Sequence, residues 1–183
     1  MSETNERKLL GLAVWRWEAF SYFITTLGAL GIVLGVYQYV QQLEANRARE
    51  TLAMIEIWET RGYREDFDAL SRDMVAYWDN VPKQDIELAK ANQRAAANLR
   101  KAFFREMIDK SAANMKRFDR VVYFFNRLGL CIEAQLCSPY TARVFFEDTI
   151  TAFLSNFEPR IAEKRKTLPG YANGVFLLRD EIE

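Results

Sequence analysis

Glu133, Glu147, Asp148 and Glu158 sit close to aromatic residues, and theirs are the side chains whose types could run acid/base chemistry. Two carboxylates in unlike surroundings can be held in opposite protonation states, one giving a proton and the other taking it. Nothing else in the chain joins them. There is no histidine, which removes the commonest general base and the Glu-x-x-His pattern of carboxylate-bridged metal centres. No glycine-rich phosphate loop follows a strand, and "LPGYANG" at 168–174 has neither the spacing nor the context of one. Solvated or salt-bridged helix faces account for the four acids more simply, because burying an ion without a partner is costly. The expectation is a protein with no catalytic site, no metal and no cofactor.

Cys131 and Cys137 are the only thiols, too few and wrongly spaced for a four-cysteine zinc site. Two cysteines are no disulfide framework for a chain of this size, so two reduced, partly buried thiols are expected, with a bridge as the alternative. The most concentrated charge is Arg160, Lys164, Arg165 and Lys166, which could meet anionic lipid headgroups or simply form a solvated face. Phe124, Phe125, Phe145 and Phe146 fit a packed core better than an apolar ligand pocket. Over the whole chain 25 Lys and Arg balance 25 Asp and Glu. That balance survives removal of the N-terminal tail, since Arg7, Lys8 and Arg16 leave with Glu3, Glu6 and Glu18. A neutral remainder argues against nucleic acid as a ligand, because phosphate binding needs a net positive face.

The element that could position an interaction is "SYFITTLGALGIVLGVYQYVQQ", Ser21 to Gln42. From Ala19 to Leu43 no charged residue occurs, and at ~1.5 Å per residue this run reaches ~37 Å, enough to cross a hydrocarbon layer of ~30 Å. Trp15, Trp17, Phe20 and Tyr22 mark one end, and Tyr37 and Tyr39 the other, as expected of rings that favour the headgroup boundary. The run is too long for the apolar core of a cleaved signal peptide and flows into helix-compatible sequence, so an uncleaved anchor is expected. Leu9 to Trp17 would lead into it along the interface, with Arg16 and Glu18 at the headgroups.

On a helix, Ser21, Thr25, Gly28, Gly31, Gly35, Gln38 and Gln42 share one face. Lipid gives such a small and polar stripe no stabilisation. Another helix does, because glycine lets backbones approach and Gln or Thr can bond across the seam. The expected partners are therefore membrane lipids, plus another membrane subunit or a second copy of the chain. Basic residues are nearly equal on the two sides of the span, so they do not fix its orientation.

The rest of the chain is helical by pattern, and the expected class is all-α: a transmembrane helix, a stalk, then a small aromatic-rich bundle. The expected segments are a tail and lead-in over 1–18, the span over 19–43, a helical stalk over 44–61 and the bundle over 62–183. In the stalk Ala45, Ala48, Leu52 and Ile55 recur at heptad-like spacing, too briefly for a coiled coil, so packing onto its own domain is favoured. Tyr63, Phe67, Leu70, Met74, Tyr77 and Trp78 line a second helix between Gly62 and Pro82. Asp85 to Ala102 is polar, alanine-rich and thin on its apolar face. A long helix runs from Phe103 to about Glu133, and "CSPYTARVFFED" starts the next with Ser138 as N-cap and Pro139 in the first turn. Pro159 should kink or end that helix, and Val175 to Ile182 fits a terminal turn.

The run "FDRVVYFFNRLGLCIEAQLCSPYTARVFFEDTITAFLSNFEPRIAEKRK", followed by "YANGVF", resembles the soluble part of bacterial single-span helical proteins grouped under a domain of unknown function. The resemblance implies a bacterial inner-membrane protein with its bulk in the cytoplasm, and no catalytic residues to carry over. The functional expectation is a non-catalytic, single-pass accessory or scaffolding subunit. The alternative is a membrane-anchored module that senses a ligand or lipid.

Overall fold

The computed structural model describes residues 8–9 and 12–182, with side chains from Phe20 to Glu181. The fold is all-α, and the chain divides after Ala45 into two units.

In the first unit, β1 (Lys8–Leu9) and β2 (Leu12–Ala13) pair antiparallel, Lys8 opposite Ala13 and Leu9 opposite Leu12. This two-residue bridge, which no periodicity announced, occupies the start of the expected lead-in. The side chains of Trp15, Arg16, Trp17 and Glu18 lie outside the described residues. Helix α1 (Val14–Thr60) then carries the uncharged run, and one stretch of it is apolar and long enough to cross a membrane. None of that apolar window is buried against the chain itself.

The second unit begins within α1 at Asn46. Here α1 is part of the core rather than a free stalk: Thr51, Met54 and Trp58 are buried. Gly62 ends the helix at φ 75°, a left-handed turn that costs glycine little, and the chain reverses at once into α2 (Tyr63–Asp79). Arg120 fastens this corner by donating to the Arg61 carbonyl, pairing with Asp66 at 2.8 Å and lying over the Tyr63 ring.

The polar segment is two helices, α3 (Lys83–Ala91) and α4 (Gln93–Phe104). Asn92 separates them because its side chain accepts the Arg94 and Ala95 amides and caps α4. No residue of α3 is buried, in keeping with its thin apolar face. The long helix expected from Phe103 to Glu133 is likewise interrupted. A π-helical turn (Arg105–Asp109) precedes Ser111, which caps α5 (Ala112–Glu133) through the Asn114 amide.

Ser138 caps α6 (Pro139–Thr167) with Pro139 in its first turn, as read from the sequence. Pro159 does not end α6, which continues to Thr167 with Phe157 and Ile161 buried on either side of it. Helix α7 (Asn173–Ile182) closes the bundle and packs on α5 and α6. The core is aromatic. Phe118, Phe124, Phe125, Phe153 and Phe157 are fully buried, and neighbouring rings meet at 5–6 Å in tilted or edge-on pairs such as Phe124–Phe146 (5.5 Å) and Phe153–Phe157 (5.1 Å).

Candidate functional site

Along α1 the face holding Gly28, Gly31 and Gly35 is open: a methyl group at any of the three would meet nothing within 4 Å. The Thr25 hydroxyl donates to the Ser21 carbonyl at 2.9 Å, and the neighbouring Thr26 to Tyr22 at 2.8 Å. Those threonines spend their hydroxyl protons inside their own helix, so across a seam they could only accept, while Gln38 and Gln42 could also donate. Gly31 and Gly35 remain the positions where a second backbone could approach most closely.

The basic group divides. Arg160 ion-pairs with Asp109 and, at 2.7 Å, with Glu163. Lys164 donates to Asp119 at 2.6 Å and lies over the Phe118 and Tyr171 rings. Arg165 donates to Asn173 at 3.0 Å and covers the Phe176 ring. Three of the four cations are thus occupied within the fold. Lys166 lines a cleft of 340 Å³ with Arg100, Lys101, Phe104 and Pro159.

The four acids are not brought together. Glu158 pairs with Arg179 and Glu147 with Arg143, while Glu133 and Asp148 are exposed. Among the described residues no group of three acids or cysteines could hold a metal ion. Of the four phenylalanines weighed as a pocket, Phe124, Phe125 and Phe146 are core, and Phe145 is half exposed beside a 300 Å³ cleft that includes Ile55 and Phe67.

The most developed polar constellation was not legible in the sequence. Asp119 Oδ1 accepts from both Lys164 Nζ and the Tyr171 hydroxyl, at 2.6 and 3.0 Å, beside a groove of 650 Å³. Burial, with the Asp119 charge added, pushes the Tyr171 hydroxyl well above the ordinary phenol range. The Lys164 side chain, placed between a carboxylate and two rings, ties α6 to α5, so this site holds helices together. A raised phenol pKa means the folded state keeps a proton that the unfolded chain gives up near pH ~10. Its stabilisation is whole below that pH and is lost as the pH climbs toward the folded value. Tyr171→Phe should therefore flatten the alkaline fall in stability, measured as urea midpoints between neutral and strongly alkaline pH. An unchanged alkaline slope would count against the assignment.

The α5–α6 corner also departs from expectation. Cys131 and Cys137 form a disulfide with their Cα atoms 5.3 Å apart, not two free thiols. The turn makes this possible, because the Leu136 and Cys137 amides both donate to the Cys131 carbonyl and fold the short loop back on itself. Gln135 at its tip has φ 58°, and Arg47 holds it through both the backbone carbonyl (2.9 Å) and the side-chain oxygen (3.2 Å). One turn further along α1, the buried Thr51 hydroxyl accepts the Ser138 amide at 2.8 Å.

The disulfide, Gln135 and Ser138 at this corner and the glycines of the α5–α7 contact lie inside the run "FDRVV…EKRK" and in "YANGVF", whereas their partners Arg47 and Thr51 lie outside it on α1. No curated protein and no solved structure matches the chain. The family profile described as Domain of unknown function (DUF4760) matches residues 25–171, from within the apolar part of α1 to Tyr171. That match spans most of the chain, and the protein belongs to the DUF4760 family.

Proposed function

We propose that this chain is a single-span, membrane-anchored helical protein acting as a non-catalytic accessory or scaffolding subunit of a bacterial inner-membrane assembly, docked through the Ser21–Gln42 stripe. The observation that carries it is the open glycine face of α1, in contrast to a second unit whose aromatic core is complete. Small residues aligned on a lipid-length helix gain nothing from lipid and much from a second helix. The disulfide supports a finer reading of orientation. Such bonds persist in oxidising compartments and are rare in the cytosol, so the second unit is assigned to the outer face of that membrane, in place of the cytoplasm that the resemblance implies.

Two experiments test these statements. The tagged full-length protein is recovered from native membranes in mild detergent, alongside the Gly31→Leu/Gly35→Leu variant. The wild type should bring a stoichiometric membrane partner or a second copy, and the variant should lose it. Equal recovery and equal size for the two proteins would refute docking through the stripe. Protease added outside intact spheroplasts should digest the second unit. Its survival there would return it to the cytoplasm.

A further inference from the structure

The α5–α6 corner exposes apolar side chains that the bundle does not use. Leu136 at its tip is 62% exposed, and Tyr140 and Val144, one turn apart on α6, are 76% and 63% exposed. Apolar residues scattered singly on a surface need no explanation, but these three lie close together in sequence, at a corner braced by a disulfide and two side chains. The disulfide closes it, Arg47 fixes Gln135 and Thr51 fixes Ser138. Rigidity of this kind suits a surface that must present side chains at one level.

The level follows from the chain itself. Arg47 is four residues beyond Leu43, where the uncharged run ends, and four residues reach at most ~14 Å however they are arranged. A corner bonded directly to Arg47 is therefore held by the chain near the end of the uncharged run. We propose that the disulfide-closed corner is a second membrane contact, with Leu136, Tyr140 and Val144 inserted at the boundary between headgroups and acyl chains. Tyrosine suits that depth, with its ring toward the chains and its hydroxyl in the polar layer. The partner is the lipid surface. This rests on the single-span reading.

Photo-crosslinking separates the two ideas. Benzoylphenylalanine is placed singly at positions 136, 140, 30 and 88 of the full-length chain, reconstituted in vesicles of phosphatidylethanolamine and phosphatidylglycerol. Position 30 lies in the span, and Leu88 is an exposed apolar residue of α3. All four positions are exposed, so the substitutions leave the core intact. Lipid adducts are expected at 136, 140 and 30 and not at 88. Adducts at 30 without adducts at 136 and 140 would overturn the corner contact and leave the span standing. Adducts at 136 and 140 to a second copy of the chain in place of lipid, or equal lipid labelling at 88, would overturn it as well. An unlabelled position 30 would refute the span, and the corner contact with it.

Discussion

Replacing Gly129 with alanine is expected to lower the stability of the bundle by about 3 kcal/mol, enough to release α7 from α5. A methyl group at Gly129 would overlap the Gly174 carbonyl, and one at Gly174 would overlap the Asn126 carbonyl. Both obstacles are backbone, so no side-chain rotation relieves them and the helices must move apart. The movement breaks the bond from the Gly174 amide to the Asn126 side chain (2.8 Å) and uncovers Val175 and Leu178, both fully buried on α7. Uncovering each such side chain costs on the order of 2 kcal/mol, so part of that loss already suffices. The measurement is urea unfolding of the full-length protein, with Gly170→Ala as control. Gly170 has open space around it, and its variant should stay within ~0.5 kcal/mol of the wild type. Equal midpoints for the two variants would show that α5 and α7 do not cross as closely as described.

That crossing illustrates what sequence pattern reveals and what it hides. Gly129 reads as a glycine that a good helix passes over, because its reason for being glycine is Gly174, in another helix. The apolar periodicity of α2, α5 and α6 was legible, since each helix buries one continuous face, and so was the Ser138–Pro139 start, which is local chemistry. The break at Asn92 was missed although its signal is local, an asparagine followed by strong helix formers. Arg160 and Lys164 look like a solvated cluster until Asp109 and Asp119, some fifty residues upstream, are placed beside them. The disulfide was obscured for a similar reason. Six residues of separation bring two cysteines together only if the turn between them folds in one particular way. The Ser21–Gln42 stripe on α1 is drawn from helical spacing alone.

Trp58→Ala should cost about 3–5 kcal/mol, the range for removing a buried large aromatic, whereas Trp58→Phe should cost much less. Trp58 is 5% exposed, and its ring meets Phe124, Phe125, Phe146 and Phe67 at 4.8, 5.3, 5.7 and 6.1 Å, so three other helices converge on it. The site also borders the cleft that includes Ile55, Phe67 and Phe145, which would admit water once the indole is gone and hinder the core from closing over the gap. The prediction bears on whether the second half of α1 is part of the bundle. Residues 46–60 belong to the second unit through Thr51, Met54 and Trp58. Were this half of α1 a free stalk, truncating Trp58 would leave the bundle's unfolding midpoint unchanged. Hydrogen exchange localises the effect. In Trp58→Ala, amides of 46–60 should lose protection together with those of α5, because both pack on the ring that was removed, and loss confined to 46–60 would mean that the bundle folds without them.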